Sequence, residues 1–168
     1  MITTFKGKQM IYSWKDYDPK AMLFVDNWLD GQAVVLTGLE DGWNAFHNYW
    51  ITEGGLTVGK DYWCKVVYIN DDPLAVIAFS AEKEKYHIME IVVKPEMRGK
   101  GHGTAMLREL LSDGKALFDH RIAEATAVIF PNNPASQRAF EKVGFVFDRG
   151  NDEGDVWYYS FTKKDEIS

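Results

Sequence analysis

The sequence predicts a mixed α/β domain, with a central sheet of about six to seven strands and about four helices. Short runs of β-branched and aromatic residues alternate with stretches of helical periodicity, as is typical of α/β domains. The middle of the chain has the order strand, helix, strand, which indicates a crossover connection. The length of 168 residues fits one domain, so we expect a single unit over residues 1–168.

Strands are predicted where apolar, β-branched and aromatic residues run together between turn residues. Their ranges are 10–17, 61–70, 74–81, 86–93, 122–130, 145–148 and 156–162. The Asp71–Asp72–Pro73 turn makes the second and third of these a hairpin. The long connection between residues 93 and 122 leaves room for a helix that crosses over the sheet.

Helices are predicted over 21–30, 39–55, 103–118 and 133–143 from the spacing of their apolar residues. Gly31 is expected to end the first helix and Gly144 the last. Asn133 followed by Pro134 is a favourable helix start, because Asn caps the first turn and Pro fits the first helical position.

Composition and charge exclude several classes of protein. The formal net charge of −6 disfavours nucleic-acid binding, which depends on clustered Lys and Arg. The single cysteine, Cys64, cannot form an intrachain disulfide and argues against a Cys-based zinc site. The four histidines are scattered, so we expect no metal. No leader-like segment or long apolar run occurs, so we expect a cytoplasmic protein without membrane contact.

A glycine-rich, cationic segment joins the strand 86–93 to the helix that follows it. Between Val93 and Met106 the chain reads VKPEMRGKGHGTAM. Glycines let the backbone approach a ligand closely, and a helix start exposes unpaired N–H groups. With the cations Arg98 and Lys100 nearby, the segment is suited to binding a phosphate or pyrophosphate. It matches neither the Walker phosphate loop nor the dinucleotide-binding fingerprint.

Two blocks of sequence resemble the GCN5-related N-acetyltransferases (GNAT). The block VVKPEMRGKGHG (92–103) is similar to the family's acetyl-CoA signature, Arg/Gln-x-x-Gly-x-Gly/Ala. The block NNPASQRAFEKVGF (132–145) is similar to a second family motif at the expected distance. The resemblance covers about residues 61–162 and implies the GNAT fold, acetyl-CoA as cosubstrate and an amine as acceptor. Residues of about 1–60 would then form the acceptor side.

The resemblance also implies a role for each matching position. Backbone N–H groups would bind the pyrophosphate at Arg98, Gly99, Lys100, Gly101, His102, Gly103 and Thr104. Main-chain groups would pair with the pantetheine arm at Ile91, Val92 and Val93. Cofactor contacts are expected at Asn133, Ser136, Phe140 and Lys142. The family often has Tyr where this chain has Phe140, and Phe cannot protonate a leaving thiolate; Tyr86, Tyr158, Tyr159 and Ser136 are alternative donors.

Glu90 is the candidate general base. In YHIMEIVV (86–93) it alternates with Ile88 and Val92, so we expect it on their face of the strand. A carboxyl among apolar neighbours has a raised pKa and can take a proton from an ammonium. The alternative interpretation is a solvated or ion-paired glutamate with a structural role.

These observations predict an acetyl-CoA-dependent N-acetyltransferase that acts on a small cationic amine by direct attack, as a monomer or homodimer. Three alternatives stay open: acetylation of a protein N-terminus or lysine, an acyl-CoA sensor without turnover, and a transferase for a different acyl group. The aromatic stripe of Trp43, Phe46, Tyr49 and Trp50 is interpreted mainly as core packing, with part of it available to an acceptor pocket.

Overall fold

The computed structural model describes residues 2–5, 8–112, 118 and 121–164, and side chains from Tyr12 onward within these ranges. Its strands are β1 (Ile2–Phe5), β2 (Lys8–Asp16), β3 (Tyr62–Ile69), β4 (Asp72–Glu82), β5 (Lys85–Val93), β6 (Glu124–Ile129), β7 (Val146–Gly150) and β8 (Trp157–Thr162). Their spatial order is β1-β2-β3-β4-β5-β6-β8-β7. Neighbours are antiparallel except β5 and β6, which are parallel.

The predicted mixed sheet is confirmed. Each of the seven predicted strands is present, from β2 to β8, within a few residues of the expected bounds. The short strand β1 was not predicted; it extends the sheet by pairing antiparallel with β2.

The helices lie on both sides of the sheet. They are α1 (Gly31–Thr37), α2 (Trp43–Thr52), α3 (His102–Ser112) and α4 (Pro134–Lys142), with short 3-10 turns at Leu23–Trp28 and Pro95–Met97. Residues 113–117, the predicted end of the third helix, lie outside the described residues. Among the described residues, no helix is long and apolar enough to span a bilayer.

The prediction of a helix over 21–30 that ends at Gly31 is wrong. A 3-10 turn covers Leu23–Trp28, and Gly31 is the first residue of α1. Asp30 is the N-cap of α1, because its side chain accepts a hydrogen bond from the backbone N–H of Ala33 at 2.9 Å. An aspartate directly before a glycine is therefore a start signal here, which outweighs the usual role of glycine at helix ends.

Two apolar cores, one on each face of the sheet, hold the layers together. Helices α3 and α4 cover the first core, which contains Met106, Leu107 and Phe140. The first 3-10 turn and α2 cover the second core, which contains Val25 and Trp43. Central strand β4 contributes buried side chains to both faces, so its sequence is continuously apolar rather than alternating.

A buried hydrogen bond ties the start of α3 to the sheet. His102 Nδ1 lies 2.9 Å from the hydroxyl of Tyr12 on β2, and both residues are buried. The next inward residue of β2 in this network, Trp14, donates its indole N–H to Glu109 of α3 at 3.0 Å. These two bonds fix the position of α3, and hence of the glycine-rich segment before it, relative to the sheet.

Strands β5 and β6 separate after four paired residues. Their register runs from Lys85↔Glu124 to Ile88↔Ala127, although β5 continues to Val93. At the same point β5 contains a bulge, because Ala78 of β4 faces Glu90 and the next residue, Phe79, faces Ile88. Met89 is therefore the extra residue, and the bulge changes the direction of β5 where it leaves β6.

Candidate active site

A cavity of about 180 Å³ opens in the gap between β5 and β6. One wall consists of β5 from Ile88 to Ile91, and the opposite wall of β6 and the segment up to Phe130. Helix α4 and the C-terminal end of α1 complete the lining with Asn133, Ser136, Phe140, Leu36 and Thr37. The cavity thus brings together five predicted site residues from two separate parts of the chain, which are Glu90, Ile91, Asn133, Ser136 and Phe140.

Glu90 is the acidic side chain in the described cavity lining. It is half-buried in the wall, and one carboxyl oxygen accepts a hydrogen bond from the backbone N–H of Ile91 at 3.2 Å. Burial raises the pKa of Glu90 from its ordinary value of 4.5 to about 8, and the bond from Ile91 offsets part of this rise. The group therefore changes its protonation state within the pH range in which enzymes work.

The prediction that Glu90 shares a strand face with Ile88 and Val92 is correct for Val92 and wrong for Ile88. Glu90 lies opposite Ala78 and shares the second core's face with Val92, whereas Ile88 belongs to the first core. The reason is the extra residue at Met89, which reverses the alternation of the strand on either side of it. A bulge has no clear signal in YHIMEIVV, so the sequence alone predicts an unbroken alternation.

The glycine-rich segment has the backbone that its sequence indicates. Gly99 and Gly101 have φ angles of 72° and 84°, in the left-handed region that glycine reaches without strain. Successive residues of this kind turn their N–H groups toward a common concavity that favours anions. Lys100 between them is exposed, and α3 begins at His102.

Gly103 borders open space. No described atom outside its own helix turn lies within 4 Å of the position that a Cβ would occupy there. A ligand can therefore approach the backbone at this point of the first turn of α3. The side chain of His102, by contrast, points into the core toward Tyr12, so only its main chain is available to a ligand.

Arg98 is held by the protein itself. Its Nη1 contacts both carboxyl oxygens of Asp30 at 3.1 and 2.9 Å, and its Nη2 donates to the carbonyl of Trp28 at 2.7 Å. Its Nε donates to the carbonyl of Val93 at 2.9 Å. All three guanidinium nitrogens thus have acceptors within the chain, so the side chain fixes local structure. The backbone N–H of Arg98 donates to the carbonyl of Pro95 at 3.3 Å, so the predicted pyrophosphate contact from this N–H group would require that bond to open.

The second motif positions the far wall of the cavity. Asn133 caps α4 by accepting a hydrogen bond from the backbone N–H of Ser136 at 3.2 Å. Gln137, which sequence reasoning did not single out, donates its side-chain amide to the carbonyls of Phe130 and Pro131 at 3.2 and 3.0 Å. These bonds fix the turn that leads from β6 into α4. Phe140 is buried and lines the cavity, whereas Lys142 is exposed and outside the described lining.

Of the four hydroxyl groups considered as proton donors, Ser136 belongs to a residue that lines the described cavity. Tyr86 is buried in an aromatic cluster with Trp63 and Phe118. Tyr159 is buried with its hydroxyl 3.5 Å from Glu141, and Tyr158 lies under the guanidinium of Arg149. The structure therefore favours Ser136 among these four candidates.

The aromatic stripe of α2 packs in the core, as predicted. Trp43 is fully buried and its indole N–H points at Cys64 Sγ, 3.4 Å away. Phe46 and Trp50 pack against the second core, and Tyr49 is exposed. Cys64 is buried in β3, and burial raises the pKa of its thiol to about 12, so it is no nucleophile.

Metal-ligand clusters were also considered. Within the described part of the chain, no group of three or more His, Cys, Asp or Glu side chains is arranged to hold a metal ion.

The comparisons with known proteins identify the family. The model of the acetyltransferase (GNAT) family matches residues 40–145, which is more than half of the chain. The protein therefore belongs to the GNAT family of N-acetyltransferases, as the two sequence blocks predicted. No curated protein sequence matches the chain.

Solved structures share the fold. The aminoglycoside acetyltransferase AAC(6')-Ib in complex with coenzyme A and kanamycin has a TM-score of 0.67 at 16% identity, covering 91% of this chain and 95% of that one. The spermidine N-acetyltransferase of Vibrio cholerae in complex with CoA and spermine has a TM-score of 0.68 at 14% sequence identity. The match covers 90% of this chain and 95% of that one. The N-acetyltransferase PseH of Campylobacter jejuni in complex with acetyl coenzyme A has a TM-score of 0.66 at 11% sequence identity. The match covers 92% of this chain and 100% of that one.

Replacing Glu90 by Gln should stabilise the protein, and more so as the pH rises from 5 to 8. Between 4.5 and about 8 the unfolded chain has lost the Glu90 proton while the folded chain retains it, so the carboxyl lowers stability as the pH rises. Glutamine carries no such penalty. We expect the variant's Tm to exceed that of the unaltered protein by roughly 10 °C at pH 8 and by less at pH 5.

The matched control is Glu40→Gln in the exposed turn before α2, where the Tm difference should not depend on pH. Parallel Tm values for Glu90→Gln and the unaltered protein across this pH range would contradict a raised pKa at Glu90.

Proposed function

We propose that this N-acetyltransferase moves the acetyl group of acetyl-CoA to the primary amine of a small cationic molecule by direct attack of the amine. The observation that carries the proposal is the Glu90 carboxyl in the wall of the β5–β6 cavity, beside a glycine-rich segment that can bind pyrophosphate. Structural neighbours that were solved with CoA together with kanamycin or spermine add support.

The residues present fit acetyl-CoA. The open space at Gly103 and the left-handed glycines before it suit a pyrophosphate bound by backbone N–H groups from Gly99 to Thr104. The part of β5 beyond its pairing with β6 offers main-chain groups from Ile91 to Val93 to an extended, amide-bearing arm. Asn133 and Ser136 lie on the other side of the same gap.

Acetyl-CoA supplies an acetyl group that is activated as a thioester, so the protein needs no nucleophilic side chain. Glu90 takes a proton from the incoming ammonium, a role that suits a carboxyl whose pKa is raised to about 8. Ser136 Oγ is our candidate for the hydroxyl that supplies a proton to the leaving sulfur, in place of the tyrosine that Phe140 replaces.

The acceptor side is proposed to lie in residues of about 1–60, and the acetyl-CoA-binding core in about 61–162. Leu36 and Thr37 of α1 support this division, because they reach the cavity from the N-terminal part of the chain. The net charge of −6 favours a cationic acceptor over an acidic one. We also propose that the protein acts in the cytoplasm, as expected from the sequence.

The experiment that tests the function is thiol release from acetyl-CoA with a panel of amines: aminoglycosides, polyamines, amino acids and short peptides. We expect release with a small polycationic amine. Release with peptides alone would favour acetylation of a protein. If no amine supports release while CoA still raises the Tm, the sensor alternative replaces the proposal.

Glu90→Gln should lower kcat/KM by roughly 10²-fold at pH 8. In the unaltered protein kcat/KM should rise with pH through the Glu90 pKa of about 8 and level off above it, because only the ionised carboxylate can accept a proton. In Glu90→Gln this rise of kcat/KM with pH should be absent. Glu90→Asp, which keeps the carboxyl on a shorter side chain, should retain part of the activity; an unaltered pH profile in Glu90→Gln would remove Glu90 as the base.

Gly103→Ala should weaken CoA binding without loss of stability. The added methyl group meets no described atom of the protein and adds no backbone strain, and alanine favours a helix more than glycine does. It would occupy the space proposed for the pyrophosphate, so we expect the Kd of CoA to rise about tenfold, equal to about 1.4 kcal/mol, in isothermal titration calorimetry.

The control for this variant is Gly31→Ala, another helical glycine with no described atom within 4 Å of its Cβ position. Gly31 lies outside the glycine-rich segment, so the Kd of CoA should be the same for Gly31→Ala as for the unaltered protein. An unchanged Kd in Gly103→Ala would place the pyrophosphate elsewhere.

A further inference from the structure

We propose that the ion pair between Arg98 and Asp30 is a positioning contact that couples occupation of the glycine-rich segment to the placement of helix α1 against the acceptor. In this account the Arg98 side chain affects acceptor binding through Asp30, while the glycine-rich segment that follows Arg98 binds the cofactor. The inference rests on the proposed function, because it needs CoA to bind the glycine-rich segment.

Arg98 connects two parts of the chain that are far apart in sequence, residues 28–30 and residues 93–98. Its backbone belongs to the glycine-rich segment, and its guanidinium contacts the end of β5 through the Val93 carbonyl. The same guanidinium contacts the end of the first 3-10 turn through the Trp28 carbonyl. It reaches the N-cap of α1 through both carboxyl oxygens of Asp30. A planar fork with several fixed donors is suited to this role, and lysine cannot reproduce it.

Helix α1 depends on its ends for its position. It has seven residues, all of them described, and Ala33 is the one that is buried. Val35 is 67% exposed. Such a short helix with little buried surface has weak intrinsic and packing stability. At its N-terminus, Asp30 both caps the helix by accepting from Ala33 and holds Arg98, and at its C-terminus Gly38 adopts a left-handed conformation.

The other end of α1 reaches the cavity. Leu36 and Thr37 line it together with Met89 and Glu90 of β5. A shift of α1 therefore changes the distance between the N-terminal wall of the cavity and the carboxyl that we propose as base. The Arg98–Asp30 contact joins these two walls, since Arg98 also holds Val93 at the end of β5.

Ion pairs at this level of exposure contribute little to global stability: the side chains of Arg98 and Asp30 are 29% and 44% exposed. The Asp30 pKa is lowered, first by its hydrogen bond from the Ala33 backbone and then by Arg98. The carboxylate therefore stays ionised, and the contact persists across the working pH range. Its effect is expected in local order and in substrate affinity, and not in Tm.

The first test is amide hydrogen exchange, with and without coenzyme A, on the full chain. In the unaltered protein CoA should slow exchange in residues 98–104 and also in α1, residues 31–37. In Asp30→Asn, CoA should still protect 98–104 but no longer protect 31–37. Asparagine keeps the capping acceptor for Ala33 and removes the charge that Arg98 binds, so the helix itself should remain intact.

The outcomes separate the two proposals. If CoA does not protect residues 98–104 of the unaltered protein, the assignment of the pyrophosphate site fails, and the coupling fails with it. If CoA protects 98–104 but leaves α1 unaffected, or protects α1 equally in Asp30→Asn, the coupling alone is overturned.

The second test separates positioning from cofactor binding in steady-state kinetics. Asp30→Asn and Arg98→Lys should each raise the KM of the acceptor amine roughly fivefold or more, while the Kd of CoA changes by less than about twofold. The double variant should show no loss beyond that of Arg98→Lys, because Arg98→Lys already breaks the contact that Asp30→Asn removes.

The control for charge removal is Asp148→Asn, which breaks the exposed 2.9 Å pair with Arg149 on β7 and should change neither constant. An acceptor KM that is unaltered in Asp30→Asn, or a Kd of CoA that rises by the same factor as the acceptor KM, would overturn the inference.

Discussion

The separation of β5 from β6 beyond Ile88 is the constraint on which the rest of the site depends. Parallel strands that stayed paired would satisfy each other's backbone groups and leave no room for a ligand. Here pairing stops after four residues, and the bulge at Met89 turns β5 away. The gap exposes the main chain of β5, and it admits Asn133 and Ser136 from α4 and Thr37 from α1 to a single cavity.

The same bulge determines the chemistry of Glu90. Without it, Glu90 would share the face of Ile88; with it, the carboxyl lies on the face of Val92, at the wall of the cavity. The surroundings there raise the pKa of the carboxyl to about 8. A strand irregularity thus places an acid with an altered proton affinity in the wall of the cavity, and bulges are over-represented next to active sites.

Arg98 shows that a motif residue can act through geometry more than through charge. In the sequence it lies beside Lys100 as a second cation for a phosphate. In the structure its guanidinium contacts Asp30 and two backbone carbonyls, while Lys100 remains exposed. In the proposed pyrophosphate site the positive charge would therefore come mainly from the N–H groups and from Lys100, whereas Arg98 connects the segment to the N-terminal half of the chain.

The sequence by itself determined the mixed α/β fold, seven of the described strands, the helix start at Asn133 and the glycine-rich segment after β5, because these follow from local periodicity and from residues with specific backbone preferences. It also marked Glu90 as an acid among apolar neighbours. Tertiary structure decided the start of α1 at Gly31, the face of Glu90 and the partners of Arg98. Each of these depends on contacts between residues distant in sequence, or on a one-residue bulge that leaves the local pattern unchanged, so no local signal could specify them.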